Sequence, residues 1–277
     1  DTNGFAGVGI GRNADADGSE SIAIGDDANA TNTRSTAVGD VANASGVDSM
    51  AIGSGAAATA TSSIAQGTAA AASGVSSIAQ GTGAVASNVN SVAVGTGATA
   101  TGPNAIAQGT NAFSRGRGSV AQGAGAGAWS FGTTALGRGA QAVGPGSTAL
   151  GAFSTSFAPN TVSVGNPLIK RRITNVAPGV NGTDAVNVNQ LKELESNAFS
   201  GIAATAAMTF TMRPSAPGKT TVTLNGANFR DKNAAGLNVA HWLNVGANPA
   251  AHPVVINAAV GFGSGEEVYR VGAGFEF

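Results

Sequence analysis

Apolar and polar positions recur at a fixed spacing through the first 165 residues. SSIAQGTAAAASGV (62–75) and SSIAQGTGAVASNV (76–89) are nearly the same fourteen residues written end to end. Anchored on the glycine that closes each S-x-A-x-G unit, the repeat falls at Gly11, Gly25, Gly39, Gly53, Gly67, Gly81, Gly95, Gly109, Gly123, Gly137, Gly151 and Gly165. There is no insertion or deletion between them. Register held this long marks a repeat architecture. Alanine stands two residues before the glycine from Ala23 to Ala149, with Gly9 and Ser163 at the ends. Alanines also recur three and five residues after it, as in Ala28/Ala30, Ala56/Ala58 and Ala84/Ala86. Small turn-formers such as Gly18, Asn32, Gly46 and Gly74 come seven residues after it.

Each repeat thus reads as a short alternating strand, a glycine turn, a second alternating strand and another turn. This is too short for a helix-containing repeat. It suits one coil of a flattened parallel β-solenoid, with twelve coils at ~4.8 Å spacing making a rod of roughly 55 Å. A coil so thin has almost no interior, which explains columns held at alanine. Larger residues lie on the opposite face of the first strand: Ile22/Ile24, Met50/Ile52, Val92/Val94 and their counterparts, interrupted by Gln66, Gln80, Gln108 and Gln122. A stripe of this kind would be a large exposed apolar patch on a single rod. It is expected to be buried against copies of the same chain. The axis residues would be Ile24, Ile52, Gln66, Gln80, Val94, Gln108 and Gln122, with the glutamines bonding across the axis. In the other arrangement the stripe is the coil's own core and the alanines lie outside.

Past the repeats the pattern changes. Leu191, Leu194, Ala198, Gly201, Thr205 and Met208 follow 3–4 spacing, a coiled-coil seam that becomes small towards its end. Four strand-length segments then follow: 219–231, 233–245, 251–263 and 266–277. The last places Tyr269, Val271, Ala273, Phe275 and Phe277 on one face and Arg270, Gly272, Gly274 and Glu276 on the other. That alternation fits a transmembrane β-strand. Four strands cannot close a barrel of useful size.

SIAIG, STAVG, SMAIG, SVAVG and STALG at this spacing resemble the head repeats of trimeric autotransporter adhesins of the YadA type. RRITNVAPGVNGTDAVNVNQL (171–191) resembles that family's neck, most specifically in ITNV and TDAVNVNQL. The preceding NPLIK (166–170) is less like the usual pattern. The resemblance implies a mainly β chain: a head of left-handed β-roll over 1–165, a neck over 166–190, a short coiled-coil stalk and pore helix over 191–208, and an outer-membrane anchor over 209–277. Four strands per chain would then join a trimeric twelve-stranded barrel. It also implies a homotrimer inserted by the barrel-assembly machinery, type V secretion, and a head exposed on the bacterial surface. Partners implied are an extracellular-matrix protein such as collagen, or other copies of the chain in autoaggregation.

Composition narrows the alternatives. With 42 glycines, 5% aromatic and 10% charged residues, the chain lacks the bulky side chains of a compact enzyme core. A net charge of −1 gives no electrostatic case for nucleic acid. The absence of cysteine removes disulfides and thiolate metal sites. His241 and His252 both lie in the anchor segment, so no catalytic pairing, cofactor or metal site is expected. The hexapeptide period of β-helical acyltransferases is absent, and the threonines form no unbroken ladder of an ice-binding face.

Three surface groupings remain. Arg115 and Trp129 share the column six residues past successive anchor glycines, and Arg117 and Phe131 the column eight past. Stacking would bring each Arg within cation–π reach of its aromatic neighbour. The four form either a ligand patch or a packed supporting strip, with Phe113, Phe153 and Phe157 nearby. The head's acidic residues, Asp1, Asp15, Asp17, Glu20, Asp26, Asp27, Asp40 and Asp48, gather at one end. They read as a solvated tip or a contact for basic or calcium-bridged ligands. In the neck, Lys170, Arg171 and Arg172 form a basic collar and Asp184 lies in TDAV; pairing between chains is the expected use. A structural spacer or shield with self-transport and no specific ligand is the alternative function.

Overall fold

The computed structural model describes residues 5–209, 211–245 and 253–275. The chain consists of two units, Asp1–Arg172 and Ile173–Phe277.

In the first unit each repeat forms a three-residue strand such as Ile64–Gln66, a turn, a two-residue strand such as Ala71–Ala72, and a second turn. The first kind stacks into a parallel sheet of twelve and the second into a parallel sheet of ten. An isolated bridge joins Asp15 to Asn29 at the edge of the latter. Pairing follows the repeat length, Ile64 with Ile78 and Ala65 with Ala79. The solenoid completes about eleven turns, one fewer than the anchor glycines suggest. After Val162–Ser163 no second strand follows, and the Gly165 carbonyl accepts from the Thr155 N–H at 2.8 Å in its place.

Alanine fills the space between the two sheets. Ala65, Ala70 and Ala72, and their equivalents in other coils, are fully buried. The Ile, Val, Met and Leu stripe is outside, with Ile24 37% and Leu150 46% exposed. The fold therefore adopts the arrangement with alanine inside, and the stripe is not the coil's own core.

Two turn devices explain other columns. The anchor glycine has φ near +130°, and a Cβ on Gly53 would lie 2.7 Å from the Gly67 carbonyl carbon. Neither the dihedral nor the stacking distance admits a side chain. A second left-handed residue recurs every half-repeat, as at Val41, Ser62, Asn90, Asn104 and Asn111, all with φ of 53–57°. The Ser of S-x-A-x-G is also buried, and its hydroxyl closes the turn before it. Ser35 donates to the Asn32 carbonyl at 2.6 Å, Ser91 to that of Asn88 at 2.6 Å and Thr133 to that of Ser130 at 2.7 Å.

NPLIKR closes the solenoid. The Asn166 carboxamide donates to the Phe153 carbonyl at 2.8 Å and accepts from the Leu168 and Ile169 N–H groups. The Arg171 guanidinium donates to the carbonyls of Ala152 at 2.7 Å and Val164 at 2.6 Å, and to the Ser154 hydroxyl at 3.0 Å. These bonds tie the segment to the last coils, so the structural division follows Arg172 and not residue 165.

In the second unit, helix α1 spans Val188–Ala207. It starts before residue 191 because Asn187 and Gln190 form a reciprocal capping box. The Gln190 carboxamide also pairs with both backbone groups of Gly179, and Asn187 donates to the Val176 carbonyl, folding VAPG against the helix start. The strands Thr220–Phe229, Lys232–Leu243, Val254–Gly263 and Glu266–Phe275 form an antiparallel meander in chain order. They match the four expected segments. Phe277 and His252 lie outside the described residues.

Candidate functional site

The head's second sheet carries the lateral patch. Its outward positions lie four and six residues past each anchor glycine, and towards the base they hold Phe113, Arg115, Gly127, Trp129, Gln141, Val143 and Phe157. Trp129 does not stack on Arg115. Its ring packs against Phe113 at a centroid distance of 4.9 Å, and its Nε1–H donates to the Gln141 Oε1 at 2.7 Å. Gln141 in turn donates to the Gly125 carbonyl at 3.1 Å. The reason is Gly127: a Cβ there would lie 2.4 Å from Gln141 Oε1 and 2.7 Å from Trp129 Nε1. The indole folds across the notch left by that glycine and joins the coil above to the coil below.

The cation–π pair that does form in the head is Arg138 over Phe153 at 4.7 Å. Among the described residues, Arg115 and Arg117 make no such contact with Trp129 or Phe131, which corrects the expected stacking. Residues of one column are a coil spacing apart, but their side chains lean along the strand and meet different columns. Trp129 remains 42% exposed and Phe131 67% exposed. The sequence reading missed Gln141 and Gly127. The signal was available: Gly127 interrupts a column that otherwise carries a side chain in every coil, two residues before the head's tryptophan.

The axis residues Ile24, Ile52, Gln66, Gln80, Val94, Gln108 and Gln122 share the outer face of the twelve-stranded sheet. Two glutamine pairs bond along the rod, Gln80 Nε2 to Gln66 Oε1 at 3.0 Å and Gln122 Nε2 to Gln108 Oε1 at 3.1 Å. This ladder within one chain was expected to run across an axis instead.

At the acidic end, Arg12 donates from Nε to Asp26 at 2.8 Å, and Arg34 donates from Nη2 to Asp48 at 2.8 Å. The hydrogen bond and charge of each arginine hold Asp26 and Asp48 below the usual carboxylate range. Asp15 is pushed up, first by burial and then by the neighbouring Asp17. Asp1 lies outside the described residues. No cluster of potential metal ligands occurs among the described residues.

Two of the neck residues, Arg171 and Asp184, make local bonds. Arg171 is occupied by its own chain's carbonyls, Arg172 is exposed, and Asp184 accepts from the Val180 and Asn181 N–H groups at 3.0 and 2.8 Å. Those backbone donors hold Asp184 below its usual range.

The C-terminal sheet has two distinct faces. Val222, Leu237, Val239, Val260, Tyr269 and Val271 share the outward face through the strand register; Phe275 belongs to it, as does His241, bonded to the Thr220 hydroxyl. The inner face meets α1. Cβ atoms on Gly236, Gly261 and Gly263 would lie 2.3, 2.2 and 2.6 Å from the carbonyl oxygens of Ala207, Ala204 and Ser200. The helix buries Ser200, Ala203, Ala204 and Ala207 here. Of the expected seam, Leu191, Leu194, Ala198 and Thr205 are exposed and Gly201 is half-buried, whereas Met208 at its end is buried. No helix of the described residues is long and apolar enough to cross a membrane.

The family model of the YadA head domain repeat matches residues 3–28, 16–42, 44–70, 72–98, 100–126, 131–154 and 142–166. That of the coiled stalk of trimeric autotransporter adhesin matches residues 172–208. Among solved structures, the chain is similar to the collagen-binding domain of the Yersinia adhesin YadA, at 29% identity over 68% of this chain and 96% of that one, with a TM-score of 0.43. No curated protein matches the chain at a significant level.

Proposed function

We propose that this chain, which belongs to the YadA-type trimeric autotransporter adhesins, exports its own head through a C-terminal barrel and holds it on the cell surface as an attachment device. As in that family, it works without catalysis. The observation that carries the proposal is the two-faced C-terminal sheet. Its outer face is apolar, its inner face seats a helix on glycine, and its first and last strands each have one unpaired edge among the described residues. An open edge is not tolerated in lipid, so the sheet must close with other copies. Three copies give twelve strands in the outer membrane, inserted by the barrel-assembly machinery.

The half-exposed stripe of the head then lines a three-fold axis, and the free seam of α1 packs against its copies. Lys170 and Arg172 remain available for pairing at the neck. The lateral faces around Trp129 point outward three times per rod, so weak contacts sum by multivalency. Collagen, which the Yersinia domain binds, is the partner to test first, followed by other copies of the chain. The spacer reading also has an observation in its favour, since Trp129 is held by Phe113 and Gln141 in the manner of a structural plug.

The experiment is attachment of cells displaying the full-length chain to immobilised collagen, and their autoaggregation, for wild type, Trp129→Ala and Arg115→Ala at equal surface amount. Loss of roughly tenfold or more in adherent cells supports the patch, as expected for a contact worth about 1–2 kcal/mol. Equal attachment by all three would return both residues to a supporting role. Absence of attachment by wild type, with normal display, would favour the spacer.

A further inference from the structure

The inner face of the last strand carries a charge without a counterpart. Gly272 faces inward, since a Cβ on it would lie 3.1 Å from the Asn257 carboxamide. Arg270, two residues earlier on the same strand, shares that face. It pairs in register with Ala259, which pairs with Asn238, which pairs with Thr223. Among the described residues Arg270 has no hydrogen bond or ion pair, and it is exposed in the single chain. Asn238, on the same rung, is fully buried with its Nδ2 unpartnered. A charged residue inside a membrane protein is costly without a partner.

Among the described residues no carboxylate is placed to supply one; Glu276 lies outside them. Glu266 is four residues away on the same strand, about 13 Å. Glu193 and Glu195 are in the opening turns of α1, about 18 Å or more along the axis from its end. Glu267 faces outward, and Asp231 is at the hairpin tip. What does lie at the level of Arg270 is the end of the helix. Ser200 meets Gly263 and Ala204 meets Gly261, which shares its rung with Gly236 beside Ala207; a further step of two residues along that strand, about four along the helix, brings the Ala259–Arg270 rung level with the C-cap Met208. The last turn of α1 contains no basic residue. The Met208 and Thr209 N–H groups and the Thr209 hydroxyl take the Thr205 and Ala206 carbonyls, and the partial negative charge of the helix end is what remains to favour a cation.

We propose that Arg270 of one copy caps the C-terminal end of helix α1 of the adjacent copy, pinning that helix in the lumen. The proposal rests on the trimeric barrel reading, because pairing of the last strand with the next copy's first strand is what brings the second helix to Arg270. Arg270 is then a positioning residue whose charge keeps the passage filled once the head is outside.

The test uses the full-length protein, whose native sequence has no cysteine. Chains carrying Arg270→Cys alone and Thr209→Cys alone are co-expressed, and outer membranes are treated with a short thiol cross-linker. The expected result is a cross-linked dimer on denaturing gels from the mixture, and none from either variant expressed alone. A cross-link formed only when both cysteines are in one chain, running as monomer from an intact unheated trimer, overturns the proposal. So does an intact trimer without any cross-link. An unheated monomer would overturn the barrel reading itself, which separates the two failures. As a second measurement, Arg270→Met should lower the temperature at which the trimer dissociates by on the order of 5 °C, with Arg270→Lys recovering part of the loss. Identical dissociation of Arg270→Met and wild type contradicts a capping role.

Discussion

Small residues do opposite things in the two units. In the solenoid, alanine fills a space enclosed on both sides by the same chain, and backbone hydrogen bonds run from each coil to the next. In the C-terminal sheet, Gly236, Gly261 and Gly263 clear room for helix carbonyls, Phe229 and Trp242 lie on the same inner face, and most of the Val and Leu side chains face away. The first unit has a core of its own and leaves only a surface stripe to be covered. The second has a seated helix and, among the described residues, an unpaired edge on its first and last strands, which the proposed barrel closes with copies. A stretch rich in small residues therefore marks self-closure in one case and readiness to assemble in the other.

The comparison can be broken most directly at its glycines. Gly53→Val places a side chain against the Gly67 backbone at a dihedral of φ +130°. It should destabilise the head by more than ~3 kcal/mol, read as a lower urea midpoint of an isolated head or as early proteolysis on cells. An unchanged midpoint would mean that the coils can part without cost. Gly261→Val should leave the head's own unfolding intact yet abolish the heat-resistant trimer, because the Ala204 carbonyl occupies that space. The cost is of the same order, ~3 kcal/mol, but lies in the other unit. Ile24→Asp and Val94→Asp touch neither core. Each should weaken assembly by roughly 2–4 kcal/mol through a desolvated charge, and recovery of fully stable trimer would reject the axis assignment.

A smaller effect sharpens the view of the lateral face. Gly127→Ala should displace the Trp129–Gln141 pair, shifting tryptophan emission and costing about 1 kcal/mol, with the coil stack preserved. Unaltered emission would show that the indole is not seated in that notch. The smallest effect concerns the acidic end. Asp26 and Asp48 have depressed pKa values, so their contribution is present above the ordinary carboxylate range and lost as pH falls through their folded values. Asp15 has a raised value and acts in the opposite direction, favouring the fold as it gains a proton. Amide protection at this end should therefore change little on mild acidification, whereas Arg12→Met should remove the acid-labile part.

Much of this was legible in the sequence because it is periodic. The fourteen-residue count fixes the parallel pairing, the alternation within S-x-A-x-G separates an alanine face from a bulkier one while leaving both arrangements open, and period two marks the four C-terminal strands. What was not legible depends on where side chains lean and which backbone groups they satisfy. Column sharing predicted Arg115 on Trp129, but the gap at Gly127 drew the indole towards Gln141. The basic collar looked like an interchain device, yet Arg171 caps the open carbonyls of the last coils. The left-handed residues of each turn escaped notice because Asn, Asp, Ser and Val share those positions with glycine, so no single residue type marks them.

The central claim is that the second unit is completed by two further copies of the chain. The mass of the detergent-extracted, unheated full-length protein, measured by light scattering with the detergent contribution removed, tests it most directly. The account predicts three chains per particle. A monodisperse monomer with its four strands intact would contradict the barrel, the axis along the head and the capping of one copy's helix by another.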